Sequence, residues 1–328
     1  MAKRFLIIQT AYLGDVILCT PVLSELRRLY PDALIDVVVR KSAISLLENH
    51  EAVHRVIPFD KSLSKIKAIK RTASEIRKTH YDEVINLQRY FSSGLLTFLA
   101  KGKSKIGFQK NPLSFFYTKK FPHEMELGTH EVQRNLQCIK HHGAKELVRP
   151  TLYPSQEDYE KVVSYKEQPY YCIAPASVWY TKQLPEEKWV ELLQQLQHRV
   201  YFIGGPDDDD LAKRIIQAAG AKNSLRLCGK LSLLQSAALL KDAEMNFVND
   251  SGPLHLASAV NAPVTAFFCS TVPDFGFGPL SEKSRIIETK EKLTCRPCGV
   301  HGHKSCPKGH FKCGYTIAIE EGSYGVIE

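Results

Sequence analysis

The feature that most constrains this 328-residue chain is an alternation, run through twice, of short apolar segments with amphipathic ones. Residues 5–8, 34–39, 53–57 and 84–87 read as buried strands. Between them Leu18, Val22, Leu26 and Leu29 recur at helical spacing with Arg27 and Arg28 on the other face, and 42–48 and 64–79 read as further helices. Residues 102–128 are less regular, rich in Lys, Phe and Pro, and 130–142 reads as a helix ended by Gly143. A second series follows, with strands predicted at 170–174, 200–203, 225–227, 245–248 and 264–268. Its helices fall at 186–196, 208–219, 231–241 and 253–259. Strands alternating with helices predict an α/β class with parallel sheets, each doubly wound by helices. Arg149-Pro150 and Tyr153-Pro154 mark a linker, so the chain divides into domains 1–154 and 155–328. Two such domains in tandem imply a cleft, with ligands at the carboxyl ends of the strands.

Composition adds three limits. The chain is 44% hydrophobic and 24% charged, which excludes a disordered or fibrous protein. No apolar run reaches the roughly 18 residues of a membrane span, and Gln9, Gly14 and Asp15 interrupt the first apolar run too early for a secretory signal. A cytoplasmic protein is expected. Lys and Arg total 44 against 35 Asp and Glu, and the excess is lopsided: residues 1–155 carry 25 basic against 14 acidic groups. A basic N-terminal half suits either an anionic partner or a plain solvated face.

Several loops after predicted strands carry residues fit for chemistry. Gly14 permits a tight turn after the first strand, and Asp15 begins the next helix. Its carboxylate can accept a proton from a hydroxyl or cap the helix. The loop lacks the full G-x-G-x-x-G pattern of a dinucleotide site. Asn249-Asp250-Ser251-Gly252-Pro253-Leu254-His255 places N-cap residues and a proline at a helix start, whose free N–H groups suit a diphosphate. His255 falls on the same side of that first turn and can donate to a phosphate oxygen; a capped structural helix is the alternative. The loop from Ala174 through Ser177 to Lys182 offers small and hydroxyl residues and one mobile cation. Gly204-Gly205-Pro206-Asp207-Asp208 makes a tight strand-to-helix turn with an acidic residue, which either holds ribose hydroxyls or caps the helix.

Nine cysteines are present. Five of them, Cys19, Cys138, Cys172, Cys228 and Cys269, are scattered in apolar stretches as small hydrophobes. The other four, Cys295, Cys298, Cys306 and Cys313, fall within 19 residues, with His301, His303 and His310 between them. In a cytosolic protein this favours metal over disulfides, with a structural zinc site as the physical candidate and reduced thiols or incidental disulfides as the alternative.

In this order the motifs resemble the ADP-heptose-dependent heptosyltransferases of glycosyltransferase family 9. The likeness spans nearly the whole chain. It rests on Gly14-Asp15-Val16 followed by Pro21 and Leu26, on Lys182 ahead of Leu184-Pro185 and Trp189, on Gly204-Gly205-Pro206, and most specifically on Asp250-Ser251-Gly252-Pro253-Leu254-His255-Leu256-Ala257. The tail with Cys295-Arg296-Pro297-Cys298 is similar to the heptosyltransferase II branch. The resemblance implies a GT-B fold of two facing Rossmann-like domains, acceptor in the first and nucleotide sugar in the second. It implies inverting transfer of heptose from ADP-heptose to the inner core of lipopolysaccharide, with no cofactor in the reaction. By that likeness Asp15 is the general base, and Lys182 with the helix starting near Ser251 neutralises the leaving diphosphate. Ser177, Asp250, Ser251, Gly252 and His255 would line the donor site, and Asp207 or Asp208 would hold the ribose. Lys101, Lys103 and Lys105 would touch a phosphorylated lipid A-core acceptor at the inner face of the cytoplasmic membrane. Two rivals remain: the same fold with another nucleotide sugar, and a metal-stabilised nucleic-acid binder. The second lacks any helix-turn-helix, RRM or standard finger pattern.

Overall fold

The computed structural model describes residues 2–125 and 128–319. The chain forms two compact units, Met1–Tyr153 and Pro154–Glu328.

The first unit holds a six-stranded sheet in the order β3-β2-β1-β4-β5-β6, all neighbours parallel. Its strands are β1 (Arg4–Gln9), β2 (Leu34–Arg40), β3 (Arg55–Phe59), β4 (His80–Asn86), β5 (Lys101–Phe108) and β6 (Lys119–Phe121). Helices α1 (Leu13–Ile17), α2 (Thr20–Leu29), α3 (Lys65–Ile76), α4 (Phe91–Leu99) and α5 (Glu131–Gln137) connect and cover it. Phe5, Leu6, Ile7 and Ile8 are fully buried, as a strand covered on both faces requires.

The second unit repeats the plan. Its strands are β7 (Tyr170–Ala174), β8 (Arg199–Phe202), β9 (Ser224–Arg226), β10 (Met245–Asn249), β11 (Val264–Phe268) and β12 (Ser284–Glu288). They run parallel in the order β12-β11-β10-β7-β8-β9. The helices are α6 (Gln156–Val162), α7 (Glu186–Gln195), α8 (Asp209–Ala219), α9 (Leu233–Lys241), α10 (Gly252–Ala259) and α11 (Lys312–Tyr315). Trp189 on α7 is fully buried, 5.2 Å edge-on from the Phe267 ring, in a core that also takes in Phe311, Cys313, Ile317 and Ile319 from the tail.

The structure departs from the sequence reading in several places. Residues 101–108 are a regular strand, because β4 supplies a full parallel ladder that the lysines do not interrupt. Helix α4 and strand β12 lacked a clean period and were not expected. The helix expected over 130–142 ends at Gln137 and continues as a short 3-10 turn, Lys140–His142, stopped by Gly143 at φ 86°. Among the described residues no helix is long and apolar enough to cross a membrane.

In each sheet the strand order reverses once, between β1 and β4 in the first unit and between β7 and β10 in the second. In doubly wound sheets the connections leave such paired strands toward opposite sides, and ligands bind at the carboxyl edge there.

Truncating Trp189→Ala should lower the stability of the second unit by about 3–5 kcal/mol, because it leaves a large void beside Phe267. Urea unfolding followed by a probe in that unit measures it.

Candidate active site

In the first unit the loop after β1 delivers Asp15 to the reversal point. Tyr12 is the N-cap of α1, and its backbone N–H donates to Asp15 Oδ2 at 3.2 Å. Asp15 keeps some solvent exposure, yet protein has replaced most of the water around its carboxylate. Burial, with help from the Glu131 charge, pushes its carboxyl up to about 6 against the pull of the Tyr12 and Asp15 N–H groups and of Arg89. Glu131 is buried between His123, 3.1 Å away, and Arg134, 2.9 Å away. Burial works against its ionisation, but the His123 hydrogen bond and both cations hold it below the usual carboxylate range. It therefore remains a fixed negative charge beside Asp15. Asn135 Nδ2 donates to Leu18 O at 3.3 Å and ties α5 to the end of the α1 turn.

Around Asp15 the carboxyl edge is basic and polar. Arg89 follows β4, the strand paired with β1 across the reversal. Arg40 ends β2 and lies 4.9 Å from the ring of the exposed Tyr12. Lys61 follows β3, where burial and the Arg40 charge hold it below its ordinary value against the pull of Asp15. Gln88 bonds to Gln9 across the reversal. Sequence reasoning missed Arg40, Lys61 and Arg89; their one signal was position, directly after a strand.

The three lysines expected to meet the acceptor sit elsewhere. Register pairs Lys101 with His80 and Lys105 with Val84, while Gly107 pairs with Asn86 near the functional edge. Lys101 and Lys103 are thus at the amino end of the sheet, opposite Asp15, by roughly 20 Å along the strands. Lys103 pairs with Asp82 at 2.7 Å, and Lys105 donates to Phe98 O at 2.6 Å. A strand alternates faces and spans its sheet, so charges close in sequence are spread along it.

In the second unit the loops after β7 and β10 meet at the reversal. Asn249, fully buried, holds them together: Nδ2 donates to Pro175 O at 2.7 Å, and Oδ1 accepts from Leu184 N at 2.8 Å. Lys182 Nζ lies 2.7 Å from Asp250 Oδ2, which also accepts from Thr271 Oγ1 at 2.8 Å. Asp250 was expected to line the diphosphate pocket. In the structure its carboxylate is taken up by Lys182 and the Thr271 hydroxyl. Ser251 is the extended N-cap of α10, and its hydroxyl turns back to Asn249 O at 3.4 Å rather than capping the helix. A Cβ placed on Gly252 would meet nothing within 4 Å, which leaves the N–H end of α10 open. His255 is buried on α10 near the Phe277 ring, and Ser177 accepts from Gln183 Nε2 through its carbonyl.

After β8, Asp208 Oδ2 accepts from Gly205 N at 2.7 Å and packs so closely that Gly204 has no room for a Cβ. Asp208 is therefore the turn's cap, and Asp207 is the exposed acidic residue beside it.

The four tail cysteines are not in disulfides. Among the described residues, the one trio of metal-ligating atoms within 4.8 Å of one another belongs to Glu83, His141 and His142. Both histidines are hydrogen-bonded to Glu83 there, at 3.3 and 2.9 Å.

Comparison with known proteins shows the family. The family model described as glycosyltransferase family 9 (heptosyltransferase) matches residues 69–307. Lipopolysaccharide heptosyltransferase 3 of Escherichia coli is 30% identical, over 79% of this chain and 81% of that protein. Lipopolysaccharide heptosyltransferase 2 of E. coli K12 is 26% identical, over 96% of this chain and 94% of that protein. In structure the chain is similar to E. coli ADP-heptose lps heptosyltransferase II, with TM-score 0.75, 23% identity, and coverage of 94% and 96%. It is also similar to E. coli heptosyltransferase WaaC with ADP, with TM-score 0.72, 25% identity, and coverage of 86% and 92%. The fold is GT-B, and the chain belongs to glycosyltransferase family 9, the heptosyltransferases.

Proposed function

We propose that this enzyme moves heptose from ADP-heptose to a phosphorylated sugar of the lipopolysaccharide inner core, with inversion. The observation that carries the reading is the Lys182–Asp250 pair at the reversal of the second sheet, beside the open N–H end of α10. A diphosphate needs a cation that is oriented but not consumed, and Thr271 and Asp250 orient this one. The relatives with ADP and with ADP-2-deoxy-2-fluoro heptose support an adenine nucleotide as the carrier. Asp207 is the exposed group for the ribose.

In the reaction the acceptor hydroxyl attacks the anomeric carbon and passes its proton to Asp15. The bond from that carbon to the phosphate oxygen breaks, and ADP leaves with the electron pair. Lys182 and the α10 N–H groups take up the charge that develops on ADP. In this reading no metal takes part in the transfer, and an ion in the Cys-rich tail is structural. Arg40, Lys61 and Arg89 beside Asp15 suit an acceptor that carries phosphate or carboxylate groups, and the exposed Tyr12, Tyr90 and Phe91 offer faces for its sugars.

The acceptor is presented at a membrane, and the first unit has a surface for that. Phe98, Phe115 and Phe116 are all exposed, and the Phe116 ring lies tilted against the other two, with centroids 4.5 and 4.1 Å apart. Lys105 lies 5.4 Å from the Phe98 ring. Apolar rings beside lysines suit an anionic lipid interface.

Four outcomes are expected. Asp15→Ala should lower kcat at least about a hundredfold and leave ADP affinity unchanged; full turnover in that variant sinks the assigned base. The sign of the Asp15 shift fixes the pH profile. The base works only when ionised, so kcat/KM should climb through an apparent pKa of about 6, and Arg89→Gln should move that limb upward because the guanidinium favours the carboxylate. The same shift, raised above the unfolded value, means ionisation weakens the fold as pH rises through about 6. Asp15→Asn should therefore be more stable than the native chain at pH 8, by about 2 kcal/mol, and equal to it at pH 4. In sedimentation with phosphatidylglycerol vesicles, the double substitution Phe115→Ser, Phe116→Ser should release the protein while ADP binding persists.

A further inference from the structure

Strand β4 sets Glu83 opposite Phe5 of β1, while Asn86 meets Ile8 at the edge that leads into the Asp15 loop. Glu83 therefore lies about 10 Å back along the strands from that edge, outside the site described above. Two consecutive histidines reach it from the 3-10 turn Lys140–His142. His141 Nε2 is 3.3 Å from Glu83 Oε1, and His142 Nε2 is 2.9 Å from Glu83 Oε2. Neighbouring side chains of a 3-10 turn point roughly 120° apart, so two rings in a row do not meet by default. Here their centroids are 4.0 Å apart at a tilt of 38°, and both turn the same nitrogen to one carboxylate.

Groups around the trio hold this arrangement. Tyr30, just past the end of α2, meets His142 Nδ1 through its hydroxyl at 2.9 Å. The rings of Phe5 and Tyr30 stand edge-on to His142, with centroids 5.9 and 5.4 Å away. Beyond the turn, Gly143 O accepts from Arg28 Nη2 at 3.4 Å, and Lys145 N donates to Glu25 Oε2 at 2.8 Å, so the chain is tied to α2 on that side as well. The side chains of Glu83 and His142 are 15% and 7% exposed against 24% for His141, which leaves one flank of the trio open to water. Tyr30 also serves either tautomer of His142. When Nε2 carries the hydrogen toward Glu83, Nδ1 accepts from the Tyr30 hydroxyl; when Nδ1 carries it, Tyr30 accepts, and the Nε2 lone pair is bared beside the carboxylate.

We propose that Glu83, His141 and His142 bind one divalent transition ion of the zinc or cobalt(II) kind, with water in the remaining position, and that the ion fastens the turn after α5 to strand β4. Bonds of about 2.1 Å from such an ion to nitrogen and oxygen set adjacent ligand atoms about 3.0–3.4 Å apart, from octahedral to tetrahedral geometry. The two nitrogen–oxygen separations, 3.3 and 2.9 Å, already lie near that spacing. Two imidazoles and one carboxylate favour this class of ion over magnesium and calcium, which take oxygen ligands, and over copper(I), which takes sulfur. Neutral rings bind after a shift of tautomer alone, so no buried charge is uncovered on the way. Three protein ligands with an open fourth position are a sufficient set for zinc. The proposal does not depend on the roles assigned to Asp15 and Lys182, and the ion takes no part in the transfer.

The test titrates the full chain, stripped with chelator and kept reduced, with cobalt(II) chloride alone and reads the absorption spectrum. Cobalt reports its own ligands: sulfur adds an intense charge-transfer band in the near ultraviolet, and nitrogen and oxygen do not. An ion held by cysteine is thereby counted apart. One ion per chain with a nitrogen–oxygen spectrum is expected. Its affinity should fall at least about a hundredfold in Glu83→Gln, which keeps an oxygen to accept from the rings, and in His141→Ala. The second variant changes a partly exposed side chain, so the question stays answerable should the first fail to fold. Cys295→Ser should bind this ion as the native chain does. No ion with a nitrogen–oxygen spectrum, or one whose affinity is unchanged in Glu83→Gln and His141→Ala, overturns the site.

Discussion

The ion pair between Lys182 and Asp250 is the interaction on which the proposed donor site depends. Both side chains are largely buried, and neither charge could stay there alone. The pair exists because β7 and β10 are neighbours in space although their carboxyl ends, Ala174 and Asn249, are far apart in the chain, so that two loops emerge side by side at the reversal of strand order. Asn249 ties the loops, Thr271 fixes the carboxylate, and the tail closes over the lysine stem. The cation is therefore set in direction before any ligand arrives, which is the condition under which a fixed charge stabilises a leaving group most.

In the proposed reaction the first unit supplies the proton acceptor, from the same topology. A proton acceptor near neutral pH needs a carboxyl raised from its ordinary value but not so far that it stays protonated. Burial and Glu131 raise Asp15; Arg89 and two backbone N–H groups hold the rise in check. Each of these neighbours arrives from a different element: α5 carries Glu131, the end of β4 carries Arg89, and α1 supplies the N–H groups. A single loop could not have tuned this group.

The alternation of apolar and amphipathic segments was enough to give two parallel α/β units, because a strand covered on both faces and a helix covered on one must differ in period. The loops bearing Asp15, Lys182 and Asp250 were legible for the same reason: each follows a strand. The helix-start chemistry at Ser251-Gly252-Pro253 is also local and was read correctly as a helix N-terminus.

Partnership was not legible, because it depends on which strands become neighbours. Only the folded chain shows Asp250 holding Lys182, and Arg89 and Lys61 gathered near Asp15. It also moves Lys101 and Lys103 to the far end of the first sheet, since consecutive residues of a strand travel across the sheet rather than cluster. Sequence alone fixed the periods, the caps and the strand-end loops, which are set by a residue and its near neighbours. The tertiary structure decided every pairing of charge, because a Coulomb interaction is settled by distance in space and by the water excluded around it.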